Sequence, residues 1–146
     1  MSTLLHIVFL DRGTLSPQTT LKAFDFPHTL VLHDHTAPQQ VAERIADADI
    51  VVNALPLTPA TEGLLDAAAF AAMPRGSYLV NIARGQHVVE GDLMAAVRSG
   101  QLAGATLDVQ ATEPLPADSP LWDLPGITIT PHIAGQSSPD VVAAQF

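Results

Sequence analysis

Short apolar runs bounded by polar, glycine or proline residues alternate along this chain with stretches in which apolar positions recur every three or four residues. The first pattern predicts buried strands and the second predicts amphipathic helices packed on them. Residues 4–10 form such a run, halted by Asp11-Arg12-Gly13. Pro17 is suited to open a helix through Lys22 and Ala23 that stops before Pro27. Residues 29–32 predict a second strand, ending at His33-Asp34-His35. Thr36 then caps a helix over 37–48, with Pro38 near its start and Val41, Ile45 and Ala48 on one face. Asp49 leads into a third strand over 50–55, and residues 61–73 predict a helix closed by Pro74-Arg75-Gly76. A fourth strand is predicted over 78–83, a helix over 90–99 with Gly100 as its stop, and two further strands over 103–109 and 127–130. Between these last two lies a loop rich in proline and aspartate, which Trp122 is expected to anchor on the core.

Strands alternating with helices argue for a doubly wound, mostly parallel α/β sheet of roughly six strands with right-handed crossovers, a Rossmann-like arrangement. Residues 1–146 carry no linker, repeat or low-complexity stretch and read as a single domain. An apolar content of 47% with only 14% charged residues suits strands covered on both faces.

Charge and cysteine content narrow the partners. A net charge of −9 with only six Lys and Arg argues against a nucleic-acid partner, which needs a basic surface. The chain has no cysteine, hence no disulfide, thiolate nucleophile or Cys-based metal site. Met1-Ser2-Thr3-Leu4-Leu5-His6 lacks the basic start and long apolar core of a signal peptide. No run approaches the ~20 apolar residues that cross a bilayer, so no membrane partner and a cytoplasmic location are expected.

In an open parallel sheet, ligands collect at the carboxyl ends of the strands. Asp11, Asp34, Arg84, Asp108 and His132 fall there, with Glu113 just beyond Asp108. Turn chemistry alone accounts for Asp11 and Asp34. Arg84 precedes Gly85 at the end of a buried strand, where its planar fork of donors could hold a carboxylate or instead pair with Glu113 or Glu90. His132, between Pro131 and the small-residue turn Ile133-Ala134-Gly135, is either a proton donor or a satisfied strand-end histidine. His33-x-His35, with His28 nearby, lacks an evident third ligand, so no metal site is expected.

Five motifs in order then resemble one family, the D-isomer-specific 2-hydroxyacid dehydrogenases. They are Leu55-Pro56-Leu57-Thr58-Pro59-Ala60-Thr61, Val80-Asn81-Ile82-Ala83-Arg84-Gly85, Gly104-Ala105-Thr106-Leu107-Asp108-Val109, Glu113-Pro114 and Thr130-Pro131-His132. The stretch from His87-Val88-Val89-Glu90 to Ser119-Pro120-Leu121-Trp122 is most similar to the glyoxylate/hydroxypyruvate reductase branch. The resemblance implies an oxidoreductase that reduces a short 2-oxo acid, such as glyoxylate or hydroxypyruvate, with NAD(P)H. It implies that Arg84 holds the substrate carboxylate and 2-oxo group, that His132 gives the proton, and that Glu113 pairs with His132. It implies that Asp108, Ala83 and the turn Ala134-Gly135 line the nicotinamide and ribose side, with Leu55 and Pro56 against the cofactor.

Residues 50–136 resemble the second half of the family's NAD(P)-binding domain, whereas residues 1–49 resemble the start of its substrate domain. The resemblance implies that family members carry a long stretch between these parts, including the glycine-rich phosphate loop, and further helices after the histidine. No G-x-G-x-x-G occurs here, so the chain reads as an internally deleted member. A join between residues 46 and 52 preserves the alternation of helix and strand. The first strand is then expected beside the third in one sheet, with Asp11-Arg12-Gly13-Thr14 in the place of the glycine loop and Asp34 near the adenosine ribose. The alternative reading is a catalytically incompetent homologue that folds but binds NAD or NADP weakly or not at all, because the glycines normally let backbone N–H groups approach the pyrophosphate. Substrate identity, cofactor choice and homo-oligomer formation stay open at this level.

Overall fold

The apolar runs lie side by side as parallel strands. The computed structural model describes the backbone of residues 5–10 and 28–33, and backbone and side chains of residues 40–135. Its strands are β1 (Leu5–Leu10), β2 (His28–His33), β3 (Ile50–Asn53), β4 (Ser77–Asn81), β5 (Leu102–Leu107) and β6 (Ile127–Ile129). They form one sheet in the order β2-β1-β3-β4-β5-β6, and each neighbouring pair is parallel. The strand order reverses between β1 and β3, where Leu10 lies opposite Asn53. In doubly wound sheets a ligand crevice opens at this reversal, outside the carboxyl ends.

Two asparagines end the neighbouring strands β3 and β4. The Leu55 N–H donates to Asn53 Oδ1 at 3.2 Å, and the Ala83 N–H donates to Asn81 Oδ1 at 3.2 Å. Each side chain thus folds back on the backbone two residues ahead and turns the chain out of the sheet. Strands expected to reach residues 55 and 83 therefore stop at Asn53 and Asn81.

Helices α1 (Val41–Ile45), α2 (Ala67–Ala72) and α3 (Glu90–Arg98) cover the sheet. Val41, Ile45 and Ala48, the face expected to be apolar, are all buried. The predicted helix over 61–73 is corrected to α2 alone. Thr61 Oγ1 donates to the Pro56 carbonyl at 2.8 Å and accepts from the Thr58 N–H at 2.9 Å, which holds residues 56–61 in turns. The helix starts only where Asp66 caps it, accepting from the Ala69 N–H at 2.9 Å. In α3, Glu90 and Asp92 sit in the first turn and Arg98 in the last, each complementing the helix dipole. Gly100, at φ +71°, supplies the left-handed residue that ends it.

The core joins Ile45, Val51, Leu65, Phe70, Leu79, Leu93, Leu102 and Leu107. Burial of each such side chain is worth ~1.5–3 kcal/mol. The loop between β5 and β6 is pinned by Leu121 and Leu124, both buried. Trp122 is 52% exposed, and its indole N–H donates to the Pro116 carbonyl at 2.8 Å. The expected anchoring role thus passes to its neighbour Leu121, because the indole closes the loop on itself from the solvent side. No helix among the described residues is long and apolar enough to cross a membrane. The expected helix from Pro17, the segment from Asp11 to Thr14, and Asp34 and His35 lie outside the described residues.

Candidate active site

Three adjacent strands deliver the three polar residues singled out from the sequence. Arg84 follows β4, Glu113 follows β5 and His132 follows β6. They line one cleft of about 220 Å³ together with Gly85, Gln86, Gln110 and Ala111. That volume lies below the range of drug-sized ligand sites.

Gly85 is what lets the cleft form. A side-chain carbon at this position would lie 1.9 Å from the carbonyl carbon of Gln110 and 2.2 Å from the Ala111 nitrogen. The Arg84 turn therefore packs backbone to backbone against the turn leading to Glu113. Across that contact the Glu90 carboxylate accepts from the Ala111 N–H at 3.1 Å. Glu90 is thereby engaged elsewhere than with Arg84, and among the described residues no carboxylate forms an ion pair with Arg84. The guanidinium donates to the Ala83 carbonyl at 2.6 Å, and among the described residues its other N–H groups meet no acceptor.

Glu113 and His132 face each other, Oε2 to Nδ1, at 2.8 Å. The other carboxylate oxygen accepts from the Gln110 N–H at 3.0 Å. The His132 hydrogen bond, followed by that from Gln110 and the positive charges of His132 and Arg84, holds the Glu113 carboxyl below its ordinary range. An ionised Glu113 fixes the hydrogen of His132 on Nδ1 and leaves Nε2 to exchange a proton.

His132 adopts φ +54°, in the left-handed region rarely occupied by residues other than glycine. Asp108 holds it there. Its carboxylate accepts from the Thr130 hydroxyl, from the Ile133 N–H at 3.0 Å and from the Ala134 N–H at 2.8 Å. Burial pushes the Asp108 carboxyl up, but these three donors and the nearby His132 outweigh it and leave it below the usual carboxylate range.

The residues expected to line a cofactor divide into two sets. Leu55, Ala83 and Asp108 are buried beneath the strand ends, at 6%, 6% and 2% exposure. Pro56 is half-buried, while Ala134 and Gly135 face solvent, and a side-chain carbon at Gly135 would meet nothing within 4 Å. Leu57, Ile82 and Ile133 are exposed apolar residues that follow β3, β4 and β6. Among the described residues no group of three or more His, Asp or Glu is placed to hold a metal.

Gln86, Gln110 and the buried group Asn53, Asn81 and His87 carry no role in the sequence reading. Each asparagine interrupts an otherwise apolar run, and the structure sets the two opposite each other in the β3–β4 register.

The family model described as D-isomer specific 2-hydroxyacid dehydrogenase, NAD binding domain, matches residues 21–134. Glyoxylate/hydroxypyruvate reductase A of Yersinia enterocolitica is 48% identical over 150 residues, covering 95% of this chain and 48% of that protein. A crystal structure of a D-isomer specific 2-hydroxyacid dehydrogenase from Xanthobacter autotrophicus Py2, in complex with NADPH and MES, is similar with a TM-score of 0.82 and 36% identity. That match covers 97% of this chain and 63% of the other. The NADPH-dependent glyoxylate/hydroxypyruvate reductase of Sinorhizobium meliloti, in complex with NADP and sulfate, is similar with a TM-score of 0.77 and 31% identity, over 96% of this chain and 48% of that one. The chain spans about half the length of the curated relatives it matches.

Proposed function

The chain belongs to the D-isomer-specific 2-hydroxyacid dehydrogenase family, and on that premise we propose that it reduces a short 2-oxo acid, glyoxylate or hydroxypyruvate, at the cleft between Arg84 and His132. The observation that carries the proposal is the convergence of Arg84, Glu113 and His132 from three successive strand ends, with the Glu113–His132 contact at 2.8 Å. Arg84 binds the substrate carboxylate through paired N–H donors and leaves the 2-oxo group toward His132. His132, protonated, donates from Nε2 to the carbonyl oxygen as charge develops there. Glu113 holds Nδ1–H, fixes the plane of the ring and balances the imidazolium charge. NAD(P)H, when bound, supplies the hydride. Pro56, Ala134 and Gly135 would hold it from the surface of the strand ends, and the exposed Leu57, Ile82 and Ile133 suit an apolar ring beside them. A small acid as partner and a cytoplasmic setting belong to the same proposal.

We further infer that residues 1–49 stand in for the missing first half of the dinucleotide domain. The parallel pairing of β1 with β3, Ile7 opposite Ile50, supports this, as does a family match that begins at residue 21. The sequence observation behind the competing reading, an incompetent homologue, is the absence of G-x-G-x-x-G. Fluorescence titration with NADH and NADPH separates the two. Saturable binding is expected from the reductase; no binding at millimolar cofactor would establish the incompetent homologue.

A further inference from the structure

His87 is fully buried, and the proposed reaction does not use it. Its ring lies between two segments that flank the cleft. Asn53 Nδ2 stands 3.0 Å from Nδ1, and the Pro56 carbonyl oxygen stands 3.3 Å from Nε2. A carbonyl oxygen only accepts, so the ring hydrogen resides on Nε2 and Nδ1 accepts from Asn53.

The orientation of Asn53 is fixed independently. Its Oδ1 accepts from the Leu55 N–H, so its amide nitrogen is the atom facing His87 and Asn81. Both amide hydrogens are then used, one on His87 Nδ1 and one on Asn81 Oδ1 at 3.0 Å. Asn81 in turn donates from Nδ2 to the Arg84 carbonyl at 3.0 Å, and the same carbonyl accepts from the His87 N–H at 3.2 Å. A continuous neutral network thus runs from the turn after β3 to the backbone of Arg84. Burial lowers the pKa of the His87 ring from its ordinary value, in keeping with an acceptor at Nδ1.

We propose that His87 is a positioning residue: held with its hydrogen on Nε2, it locks the Leu55–Pro56 turn to the turn bearing Arg84 and so sets where the guanidinium stands relative to His132. A doubly protonated ring would confront the Asn53 amide with a second donor and break the lock. The proposal rests on Arg84 being the carboxylate anchor only for its effect on substrate.

The test uses ring and guanidinium ¹⁵N NMR on the full chain, with thermal unfolding as a check on folding. In the unmodified protein at neutral pH, His87 is expected to be neutral and protonated at Nε2. His87→Phe keeps a ring but removes both hydrogen bonds, and should move the Arg84 Nε–H resonance; His87→Gln keeps a donor and an acceptor and should restore it. Glyoxylate, titrated against the Arg84 signal, is expected to bind about tenfold more weakly to the Phe variant, the size of one misplaced hydrogen bond. The opposite tautomer, or a folded Phe variant with an unmoved Arg84 resonance, overturns the proposal. Should the Phe variant not fold, the tautomer and the Gln variant decide it. If Arg84 responds to His87 while the unmodified chain binds no glyoxylate, positioning is upheld and the substrate reading is overturned.

Discussion

Glu113 and His132, 19 residues apart in sequence, meet at 2.8 Å, one arriving from the turn after β5 and the other from a left-handed residue after β6. Neither lies on the strands themselves, so the contact depends on two loops being held in register. The Glu113 side chain is 35% exposed and that of His132 47%, so the pair gains little stability from its charge. Its value is orientation. Glu113→Gln keeps the shape and removes the charge, and is expected to lower the turnover of a 2-oxo acid roughly 10–100-fold, the equivalent of one charge-assisted hydrogen bond. Steady-state kinetics with unchanged thermal stability would check it.

Asp108 makes the acid dependence of the fold specific. Its folded pKa lies below 3.8, the unfolded-chain value, so its contribution to stability is complete above 3.8 and is lost as pH falls through the lower folded value. Thermal melts across this acid range are expected to show a loss of stability that Asp108→Asn removes, because the asparagine cannot titrate. The variant should be less stable than the parent at neutral pH.

Gly85→Ala is expected to destabilise the chain by about 3 kcal/mol or more, since its new carbon would fall inside the Gln110–Ala111 backbone. Chemical denaturation measures the loss. Any protein that remains folded should have lost its affinity for 2-oxo acids, because the displaced turn separates Arg84 from Glu113.

Neighbouring residues in the β5–β6 loop are predicted to differ sharply. Leu121→Ala, at 1% exposure, should cost ~2–5 kcal/mol, whereas Trp122→Ala, at 52%, should cost less than ~1 kcal/mol. Equal losses in denaturant titrations would return the anchor to the tryptophan.

Strand–helix alternation and the motifs around Arg84, Glu113 and His132 were legible in the sequence because both are written in local spacing. What was not legible depends on contacts between distant segments. Asn53 and Asn81 end their strands through side-chain bonds that periodicity does not encode. Thr61 holds turns where composition suggests a helix. His87 acquires its partners, Asn53 and the Pro56 carbonyl, only when the turns after β3 and β4 are brought together around it. Asp108 was expected on the nicotinamide and ribose side, and that its carboxylate binds the backbone that positions His132 is a contact between distant segments that spacing does not show.

Whether Arg84, Glu113 and His132 form a working reductase site is read from the conversion of glyoxylate to glycolate with NADPH by the parent chain and by His132→Ala. Glycolate is expected from the parent, with a fall of ~10²–10⁴-fold in the variant, the usual contribution of a positioned proton donor. Turnover undiminished in His132→Ala, or none in the parent at saturating NADPH, would contradict it.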